Sequence, residues 1–132
     1  MSTAILLITH GRLSQHLVDT VTEMLGGQLS LQTDVLEVRT VQDPDVLIKQ
    51  GQRLVDKLDQ GDGVLILTDA FGSTPSNIAN RVAQSRRCRV VAGVNLPMLI
   101  RIYNYPSRNL NALAQTALEG GQRGVMLCKE DA

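Results

Sequence analysis

Two stretches of this chain, residues 4–9 and 64–68, are continuous apolar runs that each end in threonine. Runs of this kind suit parallel strands buried on both faces. Between and after them, apolar positions recur with helical spacing. Leu13, Leu17, Val21, Met24 and Leu25 predict a first helix stopped by Gly26 and Gly27. Residues 35–38 alternate as a short strand. Asp43-Pro44 then opens a helix, Asp43 as its cap and Pro44 as its first residue, with Leu47, Leu54, Val55 and Leu58 facing inward. A Gly/Ser/Thr/Pro loop over residues 70–76 leads to a helix carrying Ile78, Ala79 and Val82. Residues 89–93 form a further strand, and Asn95-Leu96-Pro97 begins another helix. Leu110, Leu113, Ala114, Ala117 and Leu118 mark a last helical stripe, closed by Gly120-Gly121. Residues 125–128 are expected to add an edge strand.

Strands alternating with helices imply right-handed crossovers and a mostly parallel sheet with helices on both faces. The expected fold is α/β, a doubly wound three-layer sandwich of strand order 2-1-3-4 over a single domain of residues 1–132. Winding reverses between the first and third strands in that order. Ligand sites in open α/β sheets lie at such a switch point, outside the carboxyl ends of the strands. Those two ends carry His10 and Asp69.

A histidine directly after a buried strand and before Gly11 sits at the crevice, because the glycine lets the chain turn at once. Capping of the first helix is its alternative role. A carboxylate at Asp69 can accept a hydrogen bond from one imidazole nitrogen, fixing the tautomer and leaving the other lone pair outward. The loop after it reads Ala70-Phe71-Gly72-Ser73-Thr74-Pro75-Ser76-Asn77. Thr74 as N-cap and Pro75 as first helical residue would aim a helix N-terminus at the crevice, which favours a phosphate. His10 and Asp69 are thus the candidate catalytic pair, and Gly11, Gly72, Ser73 and Thr74 the candidate phosphate-binding residues. Arg12 can reach a phosphoryl group or an acidic partner, or simply be solvated. His16 reads as a surface residue.

Composition narrows the classes. Lys+Arg and Asp+Glu are equal at 13 each, and only Phe71, Tyr103 and Tyr105 are aromatic. Neither a basic stripe nor a stacking platform for nucleic acid is evident. Cys88 and Cys128 form no zinc or redox motif. No cofactor and no metal are expected. The apolar run at residues 4–8 is too short to span a membrane, so a cytoplasmic protein is expected.

Three segments carry a family resemblance: Thr9-His10-Gly11, Asp69 through Asn77 as quoted above, and Ala92-Gly93-Val94-Asn95-Leu96-Pro97-Met98-Leu99. Together they resemble the enzyme IIA domain of the mannose family of the bacterial phosphoenolpyruvate:sugar phosphotransferase system. The resemblance covers nearly the whole chain, residues 120–125 included. It implies a phosphotransferase in which His10 is phosphorylated by the phosphocarrier protein HPr and discharged to a IIB component for sugar uptake, or used as a regulatory signal. It implies that Asp69 orients His10 and that Thr74 is the site hydroxyl. It further implies a homodimer with residues 125–128 exchanged into the partner's sheet, and contact with a membrane only through a transporter complex. Ser73 stands where the family usually has a second glycine. With no linker after Ala132, the chain is expected to act as a stand-alone IIA.

The same fold and histidine serve a phosphotransfer subunit for dihydroxyacetone kinase. A non-catalytic regulatory module would keep the crevice and lose the chemistry. A phosphohistidine phosphatase or mutase would place arginine before the histidine, where this chain has Thr9. A serine hydrolase would need a G-x-S-x-G turn, which this sequence lacks.

Overall fold

The computed structural model describes residues 2–129. Nine elements follow one another: β1 (Ala4–His10), α1 (Leu13–Met24), β2 (Thr33–Val38), α2 (Pro44–Leu58), β3 (Val64–Thr68), α3 (Thr74–Ala83), β4 (Cys88–Ala92), α4 (Leu96–Tyr103) and α5 (Leu110–Arg123). The four strands form one parallel sheet of order β2-β1-β3-β4, the order that the sequence pattern predicts. In register, His10 lies beside Val38 on β2, and Ile8 beside Thr68 on β3. The carboxyl ends of these strands therefore share one edge of the sheet.

Alternation along β1 and β3 splits the core in two. Leu6, Ile8, Leu36, Val38 and Ile66 face α2 and α3 through Leu47, Val55, Ile78 and Val82. Ile5, Leu7, Leu65 and Leu67 face α1, α4 and α5 through Val21, Met98, Leu99, Ile102 and Leu113. Helices on both faces leave residues 4–9 of β1 and all of β3 buried, which is why these runs show no polar alternation. The helix starts follow their local chemistry. Asp43 accepts the Asp45 N–H at the head of α2, and Asn95 accepts the Met98 N–H at the head of α4.

Three details differ from the sequence reading. α5 does not close at Gly120-Gly121 but runs through them to Arg123. These glycines lie against α4, and a Cβ on Gly120 would stand 2.7 Å from Arg101 Cβ. They serve close helix packing instead of termination. Leu13, Met24 and Leu118 lie at the margins of their stripes and are more than a third exposed.

Residues 125–128 form no strand, and among the described residues the sheet has four. α5 begins beside the amino end of β4, where Arg89 Nη1 donates to Asn111 Oδ1, and ends beside Asn95 at its carboxyl end. Only Gly124 separates the helix from the segment. One residue is too short a connection for the reversal that pairing with β4 of the same chain requires. Val125, Met126 and Leu127 stand in solvent instead, 78%, 78% and 97% exposed.

Candidate functional site

β1 ends at His10, and Gly11 turns the chain away at φ +49°, a backbone region that favours glycine. The Gly11 N–H donates to Val38 O at 2.9 Å. It extends the β1–β2 ladder and is not free for a ligand, so Gly11 serves the expected site through its turn alone. Beneath the turn, the buried Thr9 hydroxyl accepts the Ser14 N–H at 2.8 Å and pairs with the Ser14 hydroxyl. Arg12 provides no side-chain cap for α1; Thr9 takes the first-turn N–H from outside the helix. This network fixes the departure of α1 relative to β1 and so the position of His10.

Asp69 leaves β3 at the neighbouring strand end. The Gly93 N–H, following β4, donates to the carbonyls of Thr68 and Asp69 at 2.9 and 2.7 Å, holding that backbone. The carboxylate is saturated on the His10 side. Oδ2 accepts the His10 backbone N–H at 2.9 Å and stands 2.7 Å from His10 Nδ1. Oδ1 accepts the Ala70 N–H at 2.9 Å. Burial alone would raise the Asp69 pKa; the His10 N–H, the His10 ring and the Ala70 N–H outweigh it and hold the carboxyl below its ordinary value. Asp69 is therefore a carboxylate, and Nδ1 must be the donor. Nε2 is left without a partner on a ring whose side chain is 53% exposed, while that of Asp69 is 13% exposed.

The loop from Asp69 to α3 is built differently from its sequence reading. The cap position is Ser73, and Thr74 is the first helical residue. Ser73 has φ −78°, so a glycine is not required there. Its hydroxyl donates to Ala70 O at 2.6 Å and is thereby turned into the loop, not offered to the crevice. Gly72 carries the left-handed turn at φ +83°. With the described residues, the N–H groups of Gly72, Thr74 and Ser76 find no acceptor. They point from the start of a ten-residue helix, where a partial positive charge gathers.

A cavity of about 280 Å³ opens beside the imidazole, lined by His10, Val38, Arg39, Thr40, Gln42, Pro44, Leu47 and Thr74. His10 and Thr74 thus share it, as the sequence reading expects. Arg39 and Gln42 were not foreseen. The available signal was the strand order: the residues just past β2 must lie alongside those just past β1. Phe71, two residues past Asp69, is 88% exposed. Arg12 and His16 are exposed on α1 and its start, away from the cavity lining. Among the described residues no three His, Cys, Asp or Glu side chains converge as metal ligands. No helix among them is long and apolar enough to cross a membrane.

Comparison with known proteins gives concordant matches. The family model described as PTS system fructose IIA component (EIIA-man) matches residues 4–118. The PTS system mannose-specific EIIAB component of Escherichia coli (strain K12) is 32% identical over 132 residues, covering 98% of this chain. This chain spans 40% of the length of that relative. Among solved structures, the mannose/sorbose specific IIA subunit from Enterococcus faecalis superposes with TM-score 0.87 at 24% identity, covering 100% of this chain and 98% of the other. The PTS IIA protein associated with the fucose utilization operon from Streptococcus pneumoniae gives TM-score 0.76 at 22% identity, with 96% of each chain covered. At these identities the two structures speak for the fold.

Proposed function

Since the chain belongs to the EIIA-man family of PTS system fructose IIA components, we propose that His10 is its phosphoryl carrier, loaded by HPr and discharged to a IIB component. IIA components of this system are phosphotransfer proteins. The observation that carries the reading for His10 is the 2.7 Å pair between Nδ1 and the Asp69 carboxylate. It holds the ring by Nδ1 and gives Nε2, the nitrogen that attacks when the ring is neutral, a fixed direction.

In the proposed step the Nε2 lone pair forms a bond to the donor's phosphorus. The bond from phosphorus to the donor breaks, and its electron pair returns to the donor. Nδ1 keeps its proton throughout, and Asp69 stabilises the cationic character the ring acquires on phosphorylation. The Thr74 hydroxyl and the N–H groups of Gly72, Thr74 and Ser76 receive phosphoryl oxygens at the start of α3. Discharge reverses these changes toward the acceptor. Phe71, exposed two residues past Asp69, offers partner proteins an apolar anchor.

The carrier acts as a homodimer. In support, Val125, Met126 and Leu127 are exposed, and a groove beside β4 and α5, lined by Val90, Ala92, Ala114 and Leu118 among others, is open. A second copy's residues 125–128 would occupy it. Removing residues 125–132 then yields monomers in sedimentation.

The deciding experiment supplies phosphoenolpyruvate, enzyme I and HPr, and reads intact mass. One acid-labile phosphate, absent in His10→Ala, is the expected result. A folded protein that takes no phosphate from cognate HPr overturns the reading, as does a His10→Ala variant that still takes it.

A further inference from the structure

A phosphoryl group on His10 brings about two negative charges into a crevice that already holds the Asp69 carboxylate. The start of α3 offers only about half a positive charge in return. A full cation is missing from that balance. Arg12, the nearest arginine in sequence, is an exposed residue at the start of α1 and does not line the cavity. Arg39 does line it, together with His10 and Thr74.

The geometry points to Arg39 as a phosphate-binding residue of the phosphorylated state, exchanging its present partner Glu37 for the phosphoryl oxygens on His10. This rests on the carrier reading of His10. Three observations support it. The β1–β2 register sets His10 beside Val38, so Arg39 follows directly from the ladder next to the imidazole. Its backbone is fixed on both sides by one residue. The Arg39 N–H donates to Gln42 Oε1 at 3.1 Å, and its carbonyl accepts the Gln42 N–H at 3.1 Å. Its guanidinium, in contrast, is held among the described residues only by Glu37 Oε1 at 3.2 Å, with the arginine side chain 55% exposed. An exposed single-contact pair of this kind is weak. A phosphoryl dianion accepting two parallel guanidinium N–H groups is the stronger partner. Glu37 thus parks the arginine when His10 is unloaded and releases it when charge arrives.

The test loads wild type, Arg39→Gln, Arg39→Lys and Glu37→Gln from phosphoenolpyruvate, enzyme I and HPr. It reads two quantities, the plateau of His10 phosphorylation against HPr and the decay of the isolated phosphoprotein. Arg39→Gln is expected to shift the plateau about tenfold toward HPr and to speed decay. Arg39→Lys recovers part of the loss, since it restores charge without the planar fork. Glu37→Gln shifts the plateau the other way, because Arg39 no longer has a competing partner. The difference between wild type and Arg39→Gln narrows at high salt, which a merely structural role would not produce. A phosphorylated wild type whose plateau and decay match those of Arg39→Gln overturns the arginine assignment and leaves the carrier reading intact. A wild type that takes no phosphate overturns the carrier reading instead. Glu37→Gln touches neither the imidazole nor Gln42, and an unchanged plateau there also counts against the exchange.

Discussion

Replacing Asp69 by asparagine keeps the side chain's shape, removes its charge and turns one acceptor into a donor. In the native site Oδ2 takes the His10 N–H at 2.9 Å and faces Nδ1 at 2.7 Å, while Oδ1 takes the Ala70 N–H at 2.9 Å. If the new NH2 occupies the Oδ2 position, it meets two donors and forces the imidazole proton to Nε2, blocking the nucleophile. If it occupies the Oδ1 position, only the Ala70 N–H loses its acceptor, so this orientation is preferred. The bonds to His10 survive but become neutral. A hydrogen bond to a charged group contributes about 1.5–3 kcal/mol, and a neutral one about 1 kcal/mol. The loaded ring therefore loses about 1.5 kcal/mol of stabilisation, or about tenfold in loading rate. The folded state loses about 1 kcal/mol for the unpartnered Ala70 N–H. Quenched-flow loading from phosphorylated HPr, read by intact mass, measures the rate; urea titration measures the stability. Loading by Asp69→Asn within twofold of wild type, with the fold intact, would refute the orienting role.

Three further outcomes follow from named groups. The Asp69 carboxyl is held below its ordinary value of 3.8. Its stabilising contribution is therefore full above that pH and fades as pH falls through the lower folded-state value. The gap in urea stability between wild type and Asp69→Asn should accordingly narrow below about pH 4, and a gap that widens there contradicts the sign. Gly120→Ala gains about 1 kcal/mol in helix propensity but places a Cβ 2.7 Å from Arg101 Cβ. Overpacking of about 1–3 kcal/mol should win, lowering the midpoint of thermal unfolding; a raised midpoint shows that α4 and α5 are not packed this closely. Burial, with Asp59 nearby, pushes the Cys88 thiol up to about 11. Iodoacetamide near neutral pH should leave Cys88 unmodified in the folded protein and label it in urea; rapid labelling of the folded state would mean that β4 opens readily.

What the sequence by itself determined is the part written in contiguous residues. Apolar runs with no polar alternation specify strands covered on both faces, and they locate β1 and β3. Helical spacing with the Asp43 cap locates α2, and the break at Asn95-Leu96-Pro97 locates the start of α4. Strand–helix alternation then gives the sheet order, and with it the meeting of His10 and Asp69 at the switch point. The tertiary structure decided whatever depends on neighbours distant in the chain. Gly120 and Gly121 look like a helix stop, yet their lack of a Cβ is used for contact with Arg101 and Met98 on α4. Residues 125–128 look like a strand, but α5 ends beside the carboxyl end of β4 and only Gly124 is left for the reversal that pairing with β4 of the same chain requires. α3 starts one residue earlier than its local pattern suggests, with Ser73 at the cap position, and the Ser73 hydroxyl turns to Ala70 O three residues back instead of the crevice. Arg39 enters the crevice because β2 lies against β1, and nothing within its own segment marks it. Local pattern reports each residue's conformational preference and burial, whereas contact between segments is set by packing the whole sheet at once.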